Sequence, residues 1–432
     1  MRVMKRSPWL VSLGMVFAAS VVSGGHARAD VTIDQPGSIV LFPKVISKPV
    51  IGVGVRDTII QISNSGNMPV NAHCVYVNAA GFCSITNSIP CDLDSDCPGP
   101  PTVPAQESCV RQCVEDDFDI FLTGQQPTFW FASIGRQDTP LDVFVGLDPG
   151  NVKPVGTAFE GELKCVETDP TGAPTNGNHL RGVATLVGSL DLSTYNALAV
   201  QSTQAVNGDN DLNLGTEYNA CPASVVLNHY AEGATDGFLS GTCVGAVCSN
   251  TGVACTTDAD CADTVSTELT LMPCTEDLED QVATPVSALA LITNELEFQV
   301  SVPIQFDCWF NRRLTDIPLS HVFSTPQPFD LADVRTPFAK TRITPVSGSV
   351  CLTGDRAGQA CTNDDPTDTT NGCPNRSLSP DGSSLGCRQW SGVVGVAEEF
   401  HTTAGVGTGQ DAFNLHLEGS RPGDIIVVPP GP

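Results

Sequence analysis

Two stretches, DTIIQISNSGNMPVNAHCVYVN (residues 57–78) and LALITNELEFQVSVPIQFDCWFN (residues 289–311), alternate apolar and polar residues on either side of a turn-rich break. Both run Ile–(Ser/Thr)–Asn, then a Pro followed by Val or Ile, a Cys after four intervening residues, an aromatic residue and an Asn. The first copy uses Ile62, Asn64, Pro69, Cys74, Tyr76 and Asn78; the second uses Ile292, Asn294, Pro303, Cys308, Phe310 and Asn311. Side chains along a strand point to opposite faces in turn, so this period marks half-buried strands. The first stretch is predicted to be a core hairpin, and the second its echo.

The rest of the chain reads in the same style. Charged residues make up only 16 %, and 40 Gly and 32 Pro supply turns; an average protein is about 25 % charged. Strand candidates in the first half are residues 38–46, 58–63, 70–77, 118–122, 128–133, 159–166 and 180–187, with Pro43 pointing to an edge position for the first. The second half offers 224–229, 267–272, 288–293, 302–310, 343–350, 392–400, 412–417 and 424–428, with Thr275–Val282 as a short helix candidate. Short strands at this spacing predict an all-β fold of two immunoglobulin-like antiparallel β-sandwich domains, over residues 30–235 and 236–432. Three disulfide-rich loop insertions interrupt them, at 83–113, 243–274 and 351–387. They hold too few apolar residues to fold around a core, so disulfides must staple them.

Residues 1–29 read as a Sec-type signal peptide. Arg2, Lys5 and Arg6 precede an apolar run from Trp9 to Val22, and Ala27–Arg28–Ala29 offers cleavage after Ala29. The run is shorter than the ~20 residues of a membrane span. The expected localisation is secreted, extracellular or periplasmic, with no transmembrane anchor. Such a compartment suits an even set of 18 cysteines as disulfides. The candidates are Cys74, Cys83, Cys91, Cys97, Cys109, Cys113, Cys165, Cys221, Cys243, Cys248, Cys255, Cys261, Cys274, Cys308, Cys351, Cys361, Cys373 and Cys387. No CxxC spacing argues for thiolate metal ligation. The net charge of −27 repels nucleic acid and anionic membranes, and suits solubility or cation binding.

FPKV (42–45), DTIIQISN with HCVYVN, FDIFLTGQQPTFW (118–130), FEGELKC (159–165), YNACPA (218–223) and GVAEEF with AFNLHLEG (395–400, 412–419) resemble a group of secreted bacterial β-sandwich proteins with Cys-rich CxxDxDC-type inserts. The resemblance spans most of the chain outside the inserts. It implies a secreted β scaffold and supplies no catalytic residues. The endings Cys91–x–x–Asp94–x–Asp96–Cys97 and Cys255–x–x–Asp258–x–Asp260–Cys261 are similar to disulfide-rich repeats of exported bacterial proteins, and remotely to thrombospondin-type calcium repeats.

Chemistry has four candidate groups. Alternating Asp side chains can converge on calcium, which takes six to eight oxygens. Asp94 and Asp96, Asp258 and Asp260, and Asp209, Asp211 and Asn213 in NGDNDLNLG are the candidates; capping of turns by Asp is the plainer reading. Glu160/Glu162, Asp117/Asp119 and Glu398/Glu399 could serve acid–base work on sugars, against a reading as the solvated face of a sandwich. His73, His179, His229, His321, His401 and His416 form no metal motif. Trp130 could stack on a sugar if exposed, whereas Trp309 fits a core; Trp390 is the third mature tryptophan. The expected function is a non-catalytic secreted or cell-surface protein with a structural, adhesive or binding role. Its partner would be an extracellular protein or a glycan. Alternatives are a carbohydrate-binding module or polysaccharide-active enzyme, and a calcium-dependent surface assembly subunit.

Overall fold

The computed structural model describes residues 31–50, 54–86, 89–91, 97–99, 107–111, 113–136, 150–156, 158–175, 177–188, 192–203, 217–218, 221–234, 240–274, 286–306, 308–317, 328–346, 349–351, 361, 367–375, 387–389, 392–403 and 406–419. The helix candidate at 275–282, the strand candidate at 424–428 and the predicted signal peptide at 1–29 lie outside these residues. In chain order the first half supplies β1 (Ile39–Val50), β2 (Gly54–Asn64), β3 (Val70–Asn78), β4 (Val114–Leu122), β5 (Pro127–Phe131), β6 (Phe159–Thr168), β7 (Leu180–Val187), β8 (Leu192–Asn196) and β9 (Leu198–Val200). The second half supplies β10 (Ser224–Tyr230), β11 (Asp263–Pro273), β12 (Val286–Asn294), β13 (Gln299–Phe306), β14 (Phe310–Arg313), β15 (Phe338–Pro345), β16 (Val393–Thr403), β17 (Val406–Asn414) and β18 (His416–Glu418).

The described chain is nearly all β, in several antiparallel sheets. Strands β9-β1-β6-β3-β4 and β8-β7-β2-β5 face each other in the first half, joined where β1 runs into β2. Strands β13-β12-β15-β10-β18 and β14-β11-β16-β17 do so in the second. Each pair encloses an apolar core, one around Phe42, Ile60, Tyr76, Trp130 and Leu163, the other around Leu227, Leu269, Ile292, Phe329 and Ile343. Among the described residues no helix is long and apolar enough to cross a membrane.

The predicted hairpin of residues 57–78 does not form. β2 pairs with β7 and β5, while β3 pairs with β6 and β4, so the two strands lie in opposite sheets. Their inward residues, Ile60 and Ile62 against Ala72, Cys74 and Tyr76, meet across the core instead. Alternation states which side chains are buried, not which backbone is the neighbour. The downstream copy is a hairpin, with β12 paired to β13 from Val286↔Phe306 to Thr293↔Gln299. The Asn shared by the two stretches does one job in both. Asn64 donates to Met68 O (2.7 Å) and accepts from Gly66 N (2.8 Å); Asn294 donates to Val334 O (2.6 Å) and accepts from Leu296 N and Phe298 N (both 2.9 Å). Each side chain stands in for backbone partners that a turn lacks.

β1 is not an edge strand, despite Pro43. It sits between β9 and β6. The register against β6 steps from Gly161↔Val45 to Leu163↔Phe42, leaving Pro43 and Lys44 in a bulge where no ladder N–H is needed from the proline. The Tyr195 hydroxyl satisfies the bulge, accepting from Lys44 N (3.1 Å) and donating to Lys44 O (2.5 Å). Cys74 and Cys165 are bonded in register on neighbouring strands of one sheet, unlike the inter-sheet bridge of antibody domains.

Candidate functional site

The two sheet pairs meet along a seam built by alternation. On β11, Leu269 and Leu271 enter the second core, which turns Glu268, Thr270 and Met272 towards the first half. On β16, Val393 and Ala397 do the same, turning out Val394, Val396 and Glu398. Opposite them stand Ile39, Leu41, Val75, Val77 and Val166, and the apolar part of the seam closes over Trp309, which donates its indole N–H to Pro43 O (2.7 Å).

Past that apolar stretch the seam is ionic. The bulge aims Lys44, which is fully buried, at Glu268 and Glu398, and Arg56 Nη2 reaches Glu398 Oε1 at 2.5 Å. Gln410 donates to the same carboxylate and to Ser193 Oγ (3.2 Å). Burial pushes the Glu268 carboxyl up, but the charge and hydrogen bond of Lys44, with Arg56 behind it, outweigh burial and hold it low. Glu160 joins from β6, pairing with Lys48 (2.6 Å) and accepting from Asn311 Nδ2 (3.2 Å); Glu162 pairs with Lys164 (2.8 Å). Glu160, Glu162 and Glu398 were expected on a solvated face. They are buried because a second layer of sheet covers the strands that carry them. Each is neutralised by a cation, as burial of charge demands. Asp117 and Asp119 do lie exposed, on β4.

The aromatic and imidazole candidates are mostly structural. Trp130 is 2 % exposed, donates to the Tyr76 hydroxyl (2.7 Å) and packs edge-on to Phe118, so no sugar reaches its ring. Trp309 is a seam residue, and Trp390 lies outside the described residues. His73, His179 and His401 each pair Nδ1 with a carboxylate, of Asp119 (2.9 Å), Glu167 (2.9 Å) and Asp263 (3.0 Å) respectively. His229 is buried between Tyr230 O (2.8 Å) and Thr341 Oγ1 (2.9 Å). The carbonyl can only accept, so Nδ1 carries the proton and Nε2 accepts from threonine. Burial drops its pKa to about 4. Nearby Glu232 accepts from Thr267 N (2.6 Å); burial raises its pKa to about 7, against the lowering effects of that hydrogen bond and of Arg313.

The inserts share one plan. Cys83–Cys97 and Cys91–Cys109 cross in the first, as do Cys243–Cys255 and Cys248–Cys261 in the second, linking first to third and second to fourth cysteine. The third repeats the first-to-third bond, Cys351–Cys373, and its Cys361 is also in a disulfide. Each has a sulfur-lined core of its own, so the three sulfur groupings are cystines and not thiolate sites. Each also has a carboxylate that collects turn donors. Glu107 Oε2 accepts from Ile85 N, Thr86 N and Thr86 Oγ1 (2.9–3.0 Å). Asp260 Oδ2 accepts from Thr256 N and Oγ1 (both 2.7 Å) and Thr257 N (2.9 Å), which drop its pKa to about 2. Asp368 Oδ1 accepts from Thr370 N and Asn371 N. Cys113 and Cys274 pair outside the inserts, with Cys308 and Cys221, and both bonds cross residue 235.

Of the calcium candidates, Asp258 accepts from Cys243 N (2.7 Å) and Asp260 caps its turn, so both serve insert 2 as local acceptors. Asp94, Asp96, Asp209, Asp211 and Asn213 lie outside the described residues. Lys44, Arg56, Glu268 and Glu232 stand in no chemical motif of the sequence. A signal existed for two of them: Lys44 in VLFPKVI and Glu268 in TELTLM are single charges inside apolar strand runs. The chain matches no protein-family profile and no curated protein sequence.

Proposed function

We propose that the chain is a secreted, non-catalytic binding protein, structural or adhesive in role, whose two immunoglobulin-like sandwiches present cystine-crossed loops to an extracellular protein or glycan. The observation that carries this reading is the placement of the inserts. Insert 1 is anchored by Cys113–Cys308, and the chain leaving insert 3 passes Cys274, whose N–H donates to Gly392 O (2.9 Å) just before β16; both therefore lie towards the Pro273 end of β11. Insert 2 emerges at the Asp263 end, where Asn250 reaches Thr403 Oγ1 (3.4 Å). At ~3.3 Å per residue the two ends of β11 are roughly 35 Å apart. Rigid loops at two poles suit bridging between partners. Their apolar side chains point outward: Ile85 and Val110 on insert 1 are 65 % and 49 % exposed, and Val244 on insert 2 is 62 % exposed. Of the candidate acid–base carboxylates, by contrast, Glu160, Glu162 and Glu398 are consumed in buried ion pairs.

The test compares the intact protein with versions in which each insert is replaced by a short turn. Retention on cell-envelope material and on a polysaccharide panel is measured beside the melting transition. Loss of retention with melting unchanged supports the reading. Equal retention by all the insert-replaced versions would sink it.

A further inference from the structure

The outer face of the β8-β7-β2-β5 sheet exposes large apolar side chains. Trp130, Ile60, Ala184 and Tyr195 of these strands enter the core. Alternation therefore sends the intervening residues outward, and the register lines them up in rows. One row runs Thr194–Thr185–Ile59–Phe131, and the next carries Phe129 at its end; Phe129 is 59 % exposed and Leu192 is 62 % exposed. Four strands ~4.8 Å apart and about six residues long make a face of on the order of 400 Å², in which Ile59, Phe129, Phe131 and Leu192 are set among uncharged Thr, Gln and Asn side chains. Among the described residues, these four strands send two charges to it, of opposite sign and at opposite ends. Arg181 lies in the row of Ser63 and Pro127, and Asp57 in the row of Val187 and Leu192.

We propose that this face docks a second copy of the chain, sheet against sheet. The chain carries −27 overall, so most approaches of one copy to another are repulsive. The β4 edge, with Asp116, Asp117 and Asp119 exposed, shows how that charge is distributed elsewhere on the first sheet pair. The described strands of the β8-β7-β2-β5 face carry no net outward charge, and their two charges, Arg181 and Asp57, are self-complementary. A two-fold axis between the copies and perpendicular to the strands sets Arg181 of each opposite Asp57 of the other, while the rows of Thr, Ile and Phe interdigitate. The molecule already joins sheets in this way, since its own seam is a face-to-face contact with apolar rows flanked by paired charges.

The experiment is light scattering and sedimentation of the full chain across a dilution series from sub-millimolar to micromolar concentration. The expected result is a dimer that dissociates on dilution. Phe129→Asp and Leu192→Asp are each expected to weaken association at least about tenfold with melting unchanged, and Arg181→Glu to weaken it most at low salt. Should Phe129→Asp fail to fold, Phe129→Ser takes its place. A wild-type chain that stays monomeric throughout overturns the proposal, even if the face is then found to bind a glycan or another protein. So do variants that dimerise as the wild type does.

Discussion

At the scale of single residues, Lys44 is the side chain on which most depends. It is buried with two carboxylates around it, and removing one partner of a buried ion pair typically costs about 3–5 kcal/mol because the other charge stays behind. Lys44→Met is therefore expected to lose stability in that range in denaturant unfolding, and adding Glu268→Gln to recover part of it. Glu232 and His229 make a prediction about pH. Glu232 rises from 4.5 to about 7 on folding, so the native state holds its proton more tightly; its support is full below pH 4.5 and is lost as pH climbs through about 7. His229 falls from 6.5 to about 4, so its support is full above pH 6.5 and is lost as pH falls through about 4. Between pH 4.5 and 6.5 the two slopes oppose, each about 1.4 kcal/mol per unit. Glu232→Gln should make stability fall more steeply toward acid than in the wild type, and His229→Gln should make it fall less. Parallel pH profiles for all three proteins would refute the assignment.

Among the elements, the disulfides divide into staples and ties. Cys83–Cys97 closes a separation of 14 within a satellite loop, whereas Cys113–Cys308 closes one of 195 and fastens insert 1 to the seam. Replacing both cysteines of the tie by Ala should cost about 2–4 kcal/mol of global stability, whereas replacing Cys83 and Cys97 should leave the main melting transition nearly unmoved and expose insert 1 to protease. In insert 2, Val244 and Val247 pair across a two-residue turn whose Gly245 and Ala246 have φ of +61° and +64°. Such a turn needs positive φ at both positions, and only Gly adopts it freely. Ala246→Gly should gain up to about 1 kcal/mol locally, read by slower amide exchange in the hairpin. The alternation of apolar residues located most of these strands from sequence, including β2, β3, β6, β11 and β16. It did not locate their neighbours. Pro43 argued for an edge because a bulge closed by Tyr195, 151 residues away, leaves no trace in the local pattern. Glu160, Glu162 and Glu398 argued for a wet face because nothing in one strand reports that another sheet will cover it. The cystine loops were legible as units, but their crossed connectivity was not, since spacing alone allows several pairings.

For the whole molecule, the seam predicts cooperativity. Its apolar rows, its ion cluster and two disulfides that cross residue 235 couple the halves, so calorimetry should show one unfolding transition. Trp309→Ala, which removes a fully buried side chain at about 3–5 kcal/mol, should split that transition in two. The crossed cystines also bear on how the chain is made. None of the bonds described joins cysteines adjacent in sequence: at least one other cysteine always lies between the partners. An oxidant acting on thiols in their order of emergence would join neighbours first, and each of those bonds would be wrong. If oxidation precedes folding, maturation proceeds through exchange, with early cystines broken by later thiolates. Reduced protein should regain its fold in a glutathione buffer that permits reshuffling and stay trapped when oxidised without a free thiol. On that route a cell that makes this protein is expected to depend on a disulfide isomerase as much as on an oxidase.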